Sequence, residues 1–334
     1  MAWRCILLGL LLLVSSHSLF AVANISTGTS TPTFNTTTPT STNIPDWQTG
    51  WAQPAVQPTG FTSTTGWNYV GSINGSQSGQ ASGVYLGNGW VITCGHLGTG
   101  NLNFTLNGTT YPYLENSLHT FTGTATQTVV TSSGTTTSSF VNPVDILLYQ
   151  VSPAPSLPAL HLRQTGPVLN SSYVAMIGYG DGQNKTNETW GYDKVNYLTS
   201  VFVNLEGLPY WTNDFATENG SADEYQLVGG DSGGAEFIFN SSTSTWELAG
   251  LNEGTFTGGS VFVELSNATF SSAYGNTPAT GDTTTYTGTT VYETQIEQAM
   301  TPVSDTPAMP LWALVTLGGL LGLVAMPRVL SERR

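Results

Sequence analysis

The sequence predicts an all-β protein, a barrel or sandwich of short strands with one helix near the C-terminal end. Three observations predict it. From Trp67 onward, short apolar or alternating runs rich in Val, Ile, Tyr, Phe and Thr follow one another at close spacing. Gly, Asn, Pro and Ser separate the runs and supply turns. No helical period appears before Thr290.

The chain begins with Met1-Ala2-Trp3-Arg4 and an apolar run from Ile6 to Val14, followed by Ala21-Val22-Ala23. One basic residue, a short apolar stretch and a small-x-small ending read as a secretory signal over 1–23, cut after Ala23. Residues 24–66 are Ser, Thr, Pro, Asn and Gly with almost no charge, the composition of an extended or disordered linker. Trp47, Trp51 and Phe61 interrupt it.

The strands begin with the alternation Trp67 to Ile73. Gly83–Leu86 and Trp90–Thr93 flank Asn88-Gly89, a hairpin signal. Asn101–Leu106, Thr126–Thr131 and Ile146–Val151 continue the first set. Pro153, Pro155 and Pro158 mark a crossover. Tyr173–Gly180, Val195–Asn204, Glu224–Val228, Ala235–Phe239, Trp246–Leu251 and Ser260–Leu265 form the second set. Val291–Met300 carries Tyr292, Ile296 and Ala299 at helical spacing and predicts a short amphipathic helix.

Three segments carry chemistry. Gly229-Gly230-Asp231-Ser232-Gly233-Gly234 places a serine between glycines, where backbone angles closed to other residues become available. Such a turn can expose a nucleophile beside backbone N–H groups aimed at a developing oxyanion. The serine needs a base. His17 sits in the leader, and His119 and His161 lie in irregular surroundings. His96 closes Trp90-Val91-Ile92-Thr93-Cys94-Gly95-His96, an apolar strand ending in a turn. The base needs an orienting carboxylate, and Asp145 heads the apolar run Ile146-Leu147-Leu148-Tyr149. A buried carboxylate is costly without a partner. Taken singly, each residue has a structural reading: a Gly/Ser turn, a core histidine, a strand-start cap.

Together the three blocks resemble the chymotrypsin/trypsin-like serine peptidase family, with its Trp-led strand ending at histidine, its Asp-Ile-x-Leu-Leu strand and its Gly-Asp-Ser-Gly-Gly turn. The order His, Asp, Ser is that family's order. The separations are 49 residues from His96 to Asp145 and 87 from Asp145 to Ser232. The resemblance covers roughly 67–301. It implies two six-stranded antiparallel β-barrels, with the helix closing the domain. It implies a Ser232 nucleophile, His96 as base then acid, Asp145 as orienting carboxylate, and an oxyanion hole from the N–H groups of Gly230 and Ser232. The implied reaction is peptide hydrolysis through an acyl-enzyme, with protein or peptide substrates and with no cofactor or metal.

Further expectations follow from the resemblance. The residue six before the nucleophile, Gln226, would lie at the base of the specificity pocket, with Glu253 and Thr255 on its wall. A neutral amide cannot balance a buried cation, so a small or medium uncharged residue is expected before the scissile bond. The family's activation pairs a new N-terminal amine with the aspartate before the serine, here Asp231. No basic-Ile-Val-Gly-Gly sequence precedes Trp67. Either another group serves Asp231 and no zymogen step exists, or the site is incompletely formed.

Residues 302–310 form a Pro/Thr spacer, and 311–330 an apolar segment with basic residues over 328–334. The uncharged part, Leu311 to Met326, spans about 24 Å as a helix, short of a ~30 Å hydrocarbon core. Pro307-Ala308-Met309-Pro310-Leu311-Trp312, the apolar helix and the arginines resemble the sorting tails of Gram-negative surface proteins of the PEP-CTERM type, cut by a sorting protease. A retained transmembrane anchor is the other reading. Both suit a secreted, surface- or membrane-held protein.

Composition narrows the partners. Between residues 24 and 309 stand three basic residues, Arg163, Lys185 and Lys194, against twenty acidic ones. Nucleic acid is excluded as a partner on that charge. Cys5 falls in the leader, so Cys94 is the one cysteine left in the secreted chain and can form no internal disulfide. It reads as a buried, inert thiol. The rival function class is a trypsin-like surface binding or adhesion protein that has lost its chemistry; the presence of all three residues and the paired glycines argues for the enzyme.

Overall fold

In a computed structural model of the protein, the described residues are 23–24, 33–34, 66–76, 79–180, 188–205, 208–218, 225–227, 229–240, 242–243, 245–256, 259–265, 271–272, 283–288 and 292–301. Before the crossover lie β1 (Ala23–Asn24), β2 (Thr33–Phe34), β3 (Val70–Ser76), β4 (Gly79–Gly87), β5 (Trp90–Thr93), β6 (Phe104–Leu106), β7 (Thr109–Tyr111), β8 (His119–Thr131) and β9 (Gly134–Gln150). After it come β10 (Tyr173–Gly178), β11 (Thr189–Leu205), β12 (Leu208–Glu218), β13 (Tyr225–Gln226), β14 (Ala235–Asn240), β15 (Thr245–Phe256), β16 (Gly259–Glu264), β17 (Ser271–Ser272) and β18 (Thr283–Gly288), then the helix α1 (Tyr292–Met300). The chain is thus mostly strand with one short helix among the described residues, as its alternation predicts.

The second set of strands runs in the order β10-β11-β12-β16-β15-β14, and β14 pairs back onto β10, so the six return to their start. Val174, Met176, Val195, Leu227, Ile238 and Ala249 are buried together within this half. Each such apolar side chain contributes about 1.5–3 kcal/mol by leaving water. The first set differs from expectation. Its strands run within one nine-stranded sheet, β17-β18-β8-β9-β5-β4-β3-β6-β7, with no return pairing among the described residues.

The reason lies in the β8–β9 hairpin. The expected strand Thr126–Thr131 is only the end of β8, which starts at His119, and its partner β9 starts at Gly134 and continues through Asp145. Thr and Ser fill both faces of the distal part, so no apolar half marks it in the sequence. Hydroxyl pairs bridge the two strands, Thr126 with Ser139 at 3.2 Å and Thr128 with Thr137 at 3.4 Å. The extension offers a free edge that β18 takes.

Other expectations sit close to the pairing found. The Asn88-Gly89 turn links β4 to β5, with φ of 51° and 85° at its two residues, the left-handed angles a tight hairpin needs. Of the strand expected over Glu224–Val228, Tyr225–Gln226 is found as strand, paired with β1, while Glu224 and Val228 lie outside the described residues. In α1, Tyr292 and Ile296 are buried and Ala299 is half-buried. The leader before Ala23, the linker except Asn24, β2 and Gly66, the spacer 302–310 and the apolar segment 311–330 lie outside the described residues. Among the described residues no helix is long and apolar enough to cross a membrane.

Candidate active site

The fully buried strand β5 ends at Thr93, Cys94 is extended, and Gly95–Leu97 form one 3-10 turn that carries His96. Beside it runs β9, whose Leu147 pairs with Thr93. Asp145 therefore lies two residues before that last pair, level with the turn. Its carboxylate takes two hydrogen bonds from His96. The backbone N–H donates to Oδ1 at 2.6 Å, and ring Nδ1 meets Oδ2 at 2.7 Å. Asp145 is fully buried and His96 is 8% exposed. The two bonds supply the partner that a buried carboxylate demands. With Nδ1 protonated toward the carboxylate, Nε2 is left as the basic nitrogen.

The serine turn joins β13 to β14. Gly230 and Gly233 have φ of 91° and 81°, a region favouring glycine. A Cβ at Gly233 would fall on Thr93 Oγ1 and on the Ser82 carbonyl. The Gly234 N–H donates to the Asp231 carbonyl at 2.9 Å and closes the turn. Two neighbouring strands grip it. From β15, the Asn252 carbonyl accepts the Gly233 N–H at 2.8 Å, and the Asn252 N–H donates to the Gly234 carbonyl at 3.0 Å. Asn252 Nδ2 also donates to the Ile177 carbonyl on β10 at 3.0 Å. From β4, the Ser82 N–H donates to the Ser232 carbonyl at 2.9 Å, and its hydroxyl donates to the Gly230 carbonyl at 3.1 Å.

The Ser232 hydroxyl is half-buried and donates to the Glu253 carbonyl at 3.3 Å, a long bond. Among the described residues, the N–H groups of Gly230 and Ser232 donate no backbone hydrogen bond. These are the two donors expected to face an oxyanion.

Beneath the turn lies an acidic interior that the sequence reading did not foresee. Asp231 is fully buried, and its Oδ1 accepts the Gly180 N–H at 2.9 Å. A Cβ at Gly178 would fall on that carboxylate. Glu236 on β14 is also fully buried, and among the described residues neither carboxyl oxygen finds a hydrogen-bond partner. Burial, followed by the charges of Asp231 and Asp193, raises its pKa well above the ordinary carboxylate value. Glu188 is raised as well by burial, against a weak bond from the Tyr179 hydroxyl. These two acids hold their protons where exposed glutamates have lost theirs.

Cys94 is fully buried and its thiol donates to the Asn252 carbonyl at 3.1 Å. Burial, followed by the nearby charges of Asp145 and Glu253, pushes the thiol well up from its ordinary pKa. A protonated, inaccessible thiol is a poor nucleophile. Cys94, His96 and Asp145 present one ligand atom each within 4.8 Å of one another, a donor set that a zinc ion would accept. The 2.7 Å contact between Nδ1 and Oδ2 leaves no room for an ion between those two atoms, because zinc bonds of about 2.0–2.2 Å hold ligands further apart.

The three residues expected at a specificity pocket are placed unequally. Glu253 is 5% exposed, and its charge acts on Cys94. Gln226 lies on β13 and Thr255 on β15, but their side chains are outside the described residues. The sequence reading also passed over Ser82 and Asn252. Their partners lie 148 and 75 residues away, and neither residue stands in a pattern that marks it.

Comparison with known proteins bears on this geometry. The profile of the trypsin-like peptidase domain matches residues 81–250, a span that holds His96, Asp145 and Ser232. No curated protein matches the chain. Among solved structures, the Rv3671c protease from M. tuberculosis in its active form aligns with a TM-score of 0.43 and 14% identity, covering 72% of this chain and 88% of that one. Its inactive form aligns with a TM-score of 0.41 and 14% identity over 59% and 84%. The serine endoprotease from Yersinia pestis aligns with a TM-score of 0.38 and 17% identity over 60% and 59%.

Proposed function

Because the chain belongs to the trypsin-like peptidase domain family, we propose that it is a serine endopeptidase working through His96, Asp145 and Ser232. The observation that carries the assignment is the doubly bonded His96–Asp145 pair, buried and set at the strand ends that the motif spacing anticipates. In the proposed cycle Ser232 Oγ attacks the scissile carbonyl carbon while His96 Nε2 takes its proton. The carbonyl oxygen becomes an oxyanion facing the N–H groups of Gly230 and Ser232. The C–N bond then breaks, and the imidazolium returns its proton to the leaving amine. Water, deprotonated by the same nitrogen, hydrolyses the acyl-enzyme and restores the Ser232 hydroxyl. Asp145 keeps its charge throughout and balances the imidazolium. Each turnover requires Ser232 Oγ to leave the Glu253 carbonyl, and the length of that bond makes the exchange easy.

The double-barrel fold belongs to this reading. The closed order of six strands serves as the second barrel, and the β3–β9 part of the nine-stranded sheet as the first. Protein or peptide chains are the substrates, with an uncharged residue favoured before the cut on account of Gln226. The bond from Gly180 N–H to Asp231 supports an enzyme without a zymogen step, since a backbone donor already serves that carboxylate. We further propose export through the leader 1–23 and retention at the surface by the segment 311–330, either kept as an anchor or cut as a sorting tail.

A fluorophosphonate probe tests the assignment. The wild-type protein should label at Ser232, read by mass spectrometry, and Ser232→Ala should neither label nor hydrolyse casein while keeping its thermal midpoint. A folded wild type that never labels would make the chain a binding module.

A further inference from the structure

We propose that Ser82, on the strand that leads into the Asn88-Gly89 hairpin, is a positioning residue for the oxyanion donors. The inference rests on the reading of Ser232 as the nucleophile. Ser82 is fully buried and uses every polar group it has. Its hydroxyl donates to the Gly230 carbonyl at 3.1 Å and accepts the Tyr179 N–H at 2.9 Å. Its backbone N–H donates to the Ser232 carbonyl at 2.9 Å. Its own carbonyl accepts the Thr93 hydroxyl at 2.7 Å, three residues before His96.

The consequence follows from what these bonds fix. The two proposed donors are the N–H groups of Gly230 and Ser232, and Ser82 holds the carbonyls of those same two residues. Fixing a carbonyl fixes the plane of the peptide that follows it. Gly230 has a φ of 91° and no side chain to wedge it in place, so its backbone has more conformations open to it than any other residue type would have. The hydroxyl of Ser82 removes that freedom from one side, and its backbone N–H does the same at Ser232. Tyr179 follows β10, so the hydroxyl also ties the turn to the second half of the molecule. Preorganised donors act only if they already point where charge will develop. Ser82 touches no reacting atom; it acts through the peptide groups 230–231 and 232–233, which stand on either side of the peptide carrying the Ser232 N–H, the first of them directly following the peptide that carries the Gly230 N–H.

Ser82→Ala keeps the backbone bonds and the Cβ and deletes the hydroxyl alone. On a fluorogenic peptide that the wild type cleaves, kcat should fall roughly 10- to 100-fold, somewhat less than the ~10²–10³ seen when a donor itself is removed. KM should stay within about threefold, because the loss is confined to the transition state. Ser82→Thr, which retains a hydroxyl, should recover most of kcat. If Ser82 serves only to hold the fold, Ser82→Ala will lower the melting temperature and leave kcat per folded molecule unchanged, and that result overturns the proposal. Where the alanine variant does not fold, Ser82→Cys, a weak donor of similar shape, takes its place: an intermediate kcat supports the role and a wild-type kcat overturns it. A wild type inert to fluorophosphonate would instead sink the peptidase reading, and this proposal with it.

Discussion

Asp145 receives two hydrogen bonds from one residue, His96, through the backbone N–H at 2.6 Å and ring Nδ1 at 2.7 Å. The backbone bond fixes where the carboxylate sits, and the ring bond fixes which imidazole nitrogen carries the proton. Asp145→Asn would keep the shape but put an amide where the charge stood. An amide N–H facing Nδ1 favours the other tautomer and leaves Nε2 protonated. We expect kcat/KM to fall by about 10⁴-fold with little change in the circular dichroism spectrum. Retention of more than about a tenth of the activity would mean that His96 is not the base.

The buried glutamates set a pH dependence. Glu236 has a folded pKa raised above its unfolded value, chiefly by burial. The folded protein therefore binds that proton more tightly than the unfolded chain does. The associated stability is present in full below the unfolded pKa, near 4.5, and is lost as pH rises through the folded value. Glu188 acts in the same direction. Glu236→Gln mimics the protonated acid and cannot ionise. Its melting temperature should match the wild type at about pH 4 and exceed it by a few degrees at about pH 8. Parallel melting curves across that range would show that Glu236 titrates normally.

Gly233 is a position with no room for a single methyl group. Gly233→Ala places a Cβ on Thr93 Oγ1 and the Ser82 carbonyl, in a backbone region costing on the order of 1–3 kcal/mol for most residues. The variant should lose fluorophosphonate labelling even where it remains folded. Normal labelling kinetics would contradict the packing described.

Much of the fold can be read from the chain, for reasons that differ by segment. Trp90–Thr93 is apolar on both faces and ends in a turn bearing a histidine, so its place beside the Asp145 strand is announced twice. The distal β8–β9 hairpin announces itself much less, because Thr and Ser on both faces leave no buried half to detect. Ser82 stands between Ala81 and Gly83 like any small strand residue, and its importance arises from partners brought together only by folding. Glu236 is hidden for the opposite reason: an acid within an Ala-Glu-Phe-Ile run suggests a solvent face, yet the closed strand order buries both sides.

Specificity offers a further test. With Gln226 six residues before Ser232, a positional-scanning peptide library should show cleavage after small or medium uncharged residues and at least tenfold less after Arg or Lys, about 1.4 kcal/mol of discrimination. Strong cleavage after Arg or Lys would assign the pocket to Glu253 instead.

Zymogen control gives the last test. A chain starting at Asn24 should be active without trimming, because Asp231 already accepts the Gly180 N–H. Activity that appears only after cleavage between Asn24 and Trp67 would show that a freed amine is needed.

The strand order has a consequence for the protein's survival among its own copies. A peptidase of this kind would meet extended backbone as substrate, and an extended sheet border is also where chains aggregate. Six strands here return on themselves, although β11 and β12 run on past their other neighbours as a hairpin of two. The nine-stranded sheet ends on β7 and β17, three and two residues long, and the small third sheet ends on β2 and β13, two residues each. The longer one-sided stretches lie within the order: among the described residues Gly134 to Pro143 of β9 pairs with β8 alone, because β5 takes only Leu147–Gln150. The short terminal strands thereby discourage templated clumping at the sheet ends, and the hydroxyl-lined β8–β9 hairpin is the border left to neighbouring copies.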